Sequence, residues 1–213
     1  MSHKKVLAVS GAVLAVTVAG ALSQTQSSSS SHQPPSVTAC GTERWPVKIG
    51  VDQDAKKVKT TPVDTTISAL RTLTPPKSPS ARVAPVEFTT YRIKADLVAY
   101  KMETDSDYHL ALVDSQANTM IAEIPAPDCA LGSIFLSRIT AARKTFDAKF
   151  TTTLTYQDVT IPVVVTGVGF FDRVHGQRGV AGNGIELHPV LDISFGKPVP
   201  VHGCLPPSCT VGK

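Results

Sequence analysis

Between Val86 and Met102 the chain alternates apolar and polar residues and then changes step. Tyr91, Ile93, Ala95 and Leu97 share one parity, with Arg92, Lys94 and Asp96 between them; further on, Val98, Tyr100 and Met102 carry the apolar pattern. Side chains of a strand keep a period of two, so a shift of phase within one run requires a bulge or strong coiling. The segment is therefore read as one long, bent strand. Shorter strand patterns follow at Tyr108 to Val113 and at Thr119 to Ile124, joined by a turn over Asp114 to Asn118. Phe135, Ile139, Ala142, Phe146 and Phe150 then recur at helical spacing. Two more strands are predicted over Asp158 to Phe171 and Glu186 to Phe195, the first with a bend at Gly167 and Gly169. The core face of the last strand is expected to carry Leu187, Leu191, Ile193 and Phe195.

The order is strand, strand, strand, helix, strand, strand. With its long bent first strand and its helix between strands three and four, the stretch from Val86 to Phe195 resembles the OB-fold, in the strand order of staphylococcal-nuclease-like barrels. The resemblance implies a mainly β chain: a five-stranded OB-type β-barrel with one helix and an N-terminal extension. A small open α+β sandwich satisfies the same order. The chain also resembles exported bacterial proteins, a likeness that carries no function.

The ends read differently. Lys4 and Lys5 precede an uncharged stretch from Val6 to Leu22, with small residues at Ala19, Gly20, Ala21 and Ser23; this is the pattern of a secretory signal over residues 1–23. The serine run and prolines of residues 24–39 form a flexible tether. Residues 40–85 make the extension, which holds Trp45 and a short helix expected within Asp64 to Leu73, capped by Asp64 or Thr65. Residues 86–195 form the barrel and 196–213 a proline-rich tail. Export leads to a secreted or envelope location, where the four cysteines, Cys40, Cys129, Cys204 and Cys209, favour disulfides. Four cysteines allow three pairings. Cys204 with Cys209 would close a local loop, and Cys40 with Cys129 would then staple the extension to the barrel. Removing Lys4 and Lys5 leaves 19 basic residues against 17 acidic ones, a balance that excludes a general electrostatic drive toward nucleic acid or anionic membrane.

Two polar groups stand out. Asp105, Asp107 and His109 share one parity between the first two strands, opposite to Leu110 and Leu112. The loop before the last strand carries Arg173, His175, Arg178 and Asn183, and Glu186 and His188 follow on the parity opposite to Leu187. In an OB barrel the loops joining strands one and two and strands four and five flank one ligand face. Glu123 would lie at its edge. Carboxylates with imidazoles suit zinc, manganese or iron, so Asp105, Asp107, His109, Glu186 and His188 are the candidate metal ligands. Arginines 173 and 178 could clamp a phosphate. The solvated alternative is a surface ion pair between Glu186 and His188 and plain turn chemistry at Asp105 to Asp107.

Three functions fit this pattern. The first is an exported OB-fold binding module for an oligosaccharide, an oligonucleotide or a protein. The second is a divalent-metal-dependent phosphodiesterase or nuclease. The third is a structural, envelope-associated protein. No G-x-S-x-G or H-E-x-x-H motif is present.

Overall fold

A computed structural model describes residues 40–41 and 43–197. The signal and tether, Cys204, Cys209 and most of the proline-rich tail lie outside them. The extension opens with helix α1 (Trp45–Ile49), started by Pro46 and closed at Gly50, whose φ of 74° is the left-handed value glycine adopts freely. Strand β1 (Lys59–Asp64) and helix α2 (Ile67–Leu70) follow. Thr66, not Asp64 or Thr65, caps α2 by accepting from Ala69 N at 3.1 Å. The remaining elements are β2 (Thr89–Met102), β3 (Tyr108–Val113), β4 (Thr119–Ile124), α3 (Leu136–Asp147), β5 (Gln157–Phe171) and β6 (Ile185–Phe195).

All six strands belong to one sheet. β2, β3, β4, β6 and β5 pair in a closed ring, with β5 returning to β2, an arrangement compatible with a barrel-like fold. β1 adds a sixth strand, parallel to the first residues of β2. The sequence does not announce it: Lys59–Asp64 faces solvent almost throughout, so no apolar alternation marks it. The change of step in β2 is a real irregularity, because the registers with both β3 and β5 shift between Leu97 and Ala99. β5 bends where expected: its register with β6 shifts on both sides of Gly167. A Cβ on Gly167 would stand 2.9 Å from both Leu187 Cβ and Pro189 O. The same irregularity corrects the core face expected for β6. Val190 joins the core inside the ring, while Leu191 turns to a second cluster with Ile49, Phe135 and Ile139 under the extension. Inside the ring, Ile93, Leu97, Leu110, Leu112, Met120 and Phe146 are fully buried. Each such side chain contributes about 1.5–3 kcal/mol relative to exposure.

The extension is clamped down by buried charge. Arg82 holds Asp52 with two donors and reaches Val47 O at 2.9 Å and Glu87 O at 3.0 Å. Glu87 is fully buried and accepts from Arg44 Nη1 at 2.9 Å, Val83 N at 2.8 Å and Phe171 N at 2.9 Å. A disulfide joins Cys40 to Cys129, 89 residues apart, consistent with an oxidising compartment. Among the described residues no helix is long and apolar enough to cross a membrane.

Candidate functional site

Sheet register lines up a row of polar side chains. Lys101 pairs with His109 across β2 and β3, and His109 with Glu123 across β3 and β4. Between the parallel β4 and β6, Ala122 pairs with Leu187, so one step further Glu123 comes beside His188. Leu110, Ala122 and Leu187 fill the inside of the ring, so the row stands on its outer face.

That face is not open. Trp45 of α1 sets its ring edge-on to His188, centroids 6.5 Å apart, and Phe170 packs at 5.8 Å. The loop between β5 and β6 lies over β3 so closely that a Cβ on Gly179 would come 2.8 Å from Ala111 Cβ. Asp107, His109 and His188 are fully buried, and Glu186 and Glu123 nearly so. This corrects the solvated alternative: Glu186 and His188 do not form a surface pair.

Each histidine is anchored through one nitrogen and offers the other to carboxylates. His109 Nε2 lies 2.8 Å from Arg178 O, which can only accept, so Nε2 carries the hydrogen. Its Nδ1 then faces Glu123 Oε1 at 3.2 Å and Glu103 Oε1 at 3.3 Å. His188 Nδ1 hydrogen-bonds Glu186 Oε1 at 3.2 Å, with Glu123 Oε2 at 3.0 Å. Its Nε2 stands 3.3 Å from Asp107 Oδ2, in a direction that makes no hydrogen bond, and both atoms are buried without a partner. Asp107 is fixed by its other oxygen, which accepts from Ala126 N at 3.1 Å.

The electrostatics follow from crowding acids away from water. Burial, with the charge of Glu123 beside it, lifts the Glu186 carboxyl to about 7. Burial alone would raise Glu123 too, but hydrogen bonds to His109 and His188 outweigh it and hold Glu123 well below the usual range. Burial opposes protonation of both imidazoles, yet the surrounding carboxylates prevail: Glu123 raises His109, and Asp107, Glu123 and Glu186 raise His188. Lys48 points into the same acidic surroundings, 3.2 Å from Asp172, and is held more firmly protonated by Glu186, Glu123 and Asp172 against the cost of burial.

The residues singled out in the sequence divide into two sets. Asp107, His109, Glu186 and His188 converge, and Asp105 lies beside them at the rim of a cavity. The loop residues do otherwise. Arg178 turns its guanidinium to Asp158 at 2.6 Å, Arg173 leans toward Glu43 at 3.6 Å, and His175 is exposed at the cavity mouth. Asn183 donates to Leu70 O and Leu73 O, tying the loop to the end of α2. Tyr108, at the start of β3, is buried with its hydroxyl on Asp147. The sequence pattern leaves Glu103 out of the ligand set and puts Glu123 only at the edge. The geometry puts Glu123 at the centre, and its pairing with His109 across β3 and β4 is the signal that could have promoted it.

Two triads bring donors together closely enough to share an ion: Asp107, Glu123 and His188, and Glu103, His109 and Glu123, with one ligand atom from each residue within 4.8 Å of the other two. The cavity above them measures 170 Å³ and is lined by Glu43, Glu103, Asp105, Glu123 and Asp172, with Lys48 as the buried cation. Pockets for drug-sized ligands run from about 300 to 1,000 Å³, so this one suits an ion with its waters and a small ligand rather than an oligomer. In comparisons with known proteins, no family model, curated protein or solved structure matches this chain.

Proposed function

We propose that this chain is an exported binding module of the OB type, and that what it binds is a divalent cation held by Asp107, Glu123 and His188. The strand order of the ring, with β4 parallel to β6 and α3 between β4 and β5, supports the OB reading. One observation carries the metal reading: the buried, partnerless atoms His188 Nε2 and Asp107 Oδ2, 3.3 Å apart. With Nδ1 engaged by Glu186, Nε2 and Asp107 Oδ2 face each other without a hydrogen bond in a medium that screens poorly, and a metal ion bound there would take the place of the proton that the surrounding carboxylates favour on His188. Glu186 then serves as the outer partner that fixes the ligating tautomer, as carboxylates commonly do for metal-bound histidines.

Mixed oxygen and nitrogen donors favour zinc or manganese over calcium. Binding is the activity supported. The arginines that a phosphodiesterase would aim at its substrate are paired with Asp158 and Glu43 instead. Metal analysis and calorimetric titration of the purified, disulfide-bonded protein with Zn²⁺ and Mn²⁺ test the reading. Wild type should bind, and His188→Ala and Asp107→Asn should each lose the ion held at this triad. A wild-type protein that takes up neither ion at micromolar concentrations ends the proposal, and leaves the pair to be explained by a protonated imidazole.

A further inference from the structure

The two carboxylate oxygens of Glu123 serve different histidines. Oε1 is 3.2 Å from His109 Nδ1, and Oε2 is 3.0 Å from His188 Nδ1. His109 is arranged like a metal ligand in its own right. Its Nε2–H is committed to the Arg178 carbonyl, the common outer contact of a ligating histidine, and its Nδ1 faces both Glu123 and Glu103 from a fully buried position. We propose that the centre is dinuclear, with a second divalent cation held by Glu103, His109 and Glu123, and with Glu123 bridging the two ions. This rests on the reading of Asp107, Glu123 and His188 as a metal site and extends it.

Three further features fit. Glu103, Asp105, Asp107, Glu123, Asp172 and Glu186 crowd together against the ammoniums of Lys48 and Lys101, so a single divalent ion leaves negative charge uncompensated. Glu123 belongs to both triads, with one ligand atom of each residue within 4.8 Å of the other two, and the ions of two-metal sites sit about 3.5–4 Å apart. The two positions also differ in depth. The side chain of Asp107 is sealed, whereas that of Glu103 is 27% exposed and lines the cavity, so the second ion is the outer one. Lys101, now 2.9 Å from Glu103, would have to release that carboxylate when the ion enters.

Titration of the intact protein with Mn²⁺, followed by metal counting and electron paramagnetic resonance, tests the pair. Wild type should saturate at two ions per chain, with a spectrum broadened by exchange between neighbouring manganese centres. His109→Ala should saturate at one ion and give the sharp spectrum of an isolated centre. Because a fully buried histidine is being removed, Glu103→Gln provides a milder second variant with the same expected loss of the outer ion. The outer ion should leave first when a chelator is added. Saturation of wild type at one isolated ion, unaffected by Glu103→Gln, overturns the dinuclear proposal while leaving the single site intact. No uptake at all overturns both.

Discussion

Two clusters of buried charge lie on the outside of the ring, and they are built to different rules. In the clamp formed by Arg44, Arg82, Asp52 and Glu87, acid and base alternate, and every carboxylate oxygen of Glu87 receives a donor. Its one lapse is Arg44 Nε, a single unmatched hydrogen on a guanidinium that is otherwise engaged. In the cluster around Glu123, acids outnumber bases, and an imidazole nitrogen and a carboxylate oxygen face each other with nothing between them. Buried polar groups are nearly always satisfied. The clamp is complete as it stands, apart from that one hydrogen; the Glu123 cluster leaves two facing atoms without partners, the feature on which the proposed metal reading rests.

The largest expected effects separate the two. Glu87→Gln removes the acid from a buried pair and leaves Arg44 unbalanced, which should lower stability by about 3–5 kcal/mol in urea unfolding. Asp107→Asn in metal-free protein keeps the oxygen that accepts from Ala126 N and gives up an Oδ2 that has no hydrogen-bond partner, so it should cost distinctly less. Equal losses in the two variants would break the comparison. Next comes metal itself. Free Zn²⁺ at a hundred times its dissociation constant should stabilise wild type by about 2.7 kcal/mol for each occupied site, and His188→Ala by the smaller amount that follows from losing the inner one, read as the shift in melting temperature. Glu186→Gln keeps the first-rank donors and loses only the carboxylate behind His188. It should weaken Zn²⁺ binding about 10–100-fold by calorimetry, sharpening the distinction between ligand and supporting partner.

A smaller effect concerns pH in metal-free protein. Glu186 is raised from 4.5 to about 7, and His188 is raised above 6.5, so the folded chain binds more protons than the unfolded one in those ranges. Stability from these groups is complete at low pH and is lost as pH rises, for Glu186 between 4.5 and about 7 and for His188 from 6.5 upward. Glu123 acts oppositely, its contribution fading as pH falls below 4.5. The melting temperature should therefore decline from pH 5 to pH 8, and Glu186→Gln should flatten the first part of that decline. A rise over this range would contradict the assignment. Smallest of all, Asp64→Asn breaks an exposed pair with Arg92 and should leave the melting temperature unchanged.

Much of the ring can be read from the chain because it depends on local periodicity. The change of step after Leu97 reports the irregularity of β2, and Gly167 and Gly169 report the bend of β5. The convergence of Asp107, His109, Glu186 and His188 follows from topology, since two connections of a closed ring meet on one side. β1 escapes because its residues touch solvent, and Leu191 is misplaced because one irregularity opposite Gly167 reverses its face. Burial of the histidines is illegible for another reason. It is imposed by Trp45 and the loop at Gly179, both remote in sequence from the residues they cover. The pattern of a solvated loop and that of a roofed one are identical until the roof is in place.

Cys40 lies only a few residues from Trp45, and its bond to Cys129 holds the start of the strap that shelters His188. Reducing that bond would untie the strap at its first residue and give water a route to His188. On the metal reading proposed above, the reduced chain would give up its ion to a competing chelator sooner than the oxidised one.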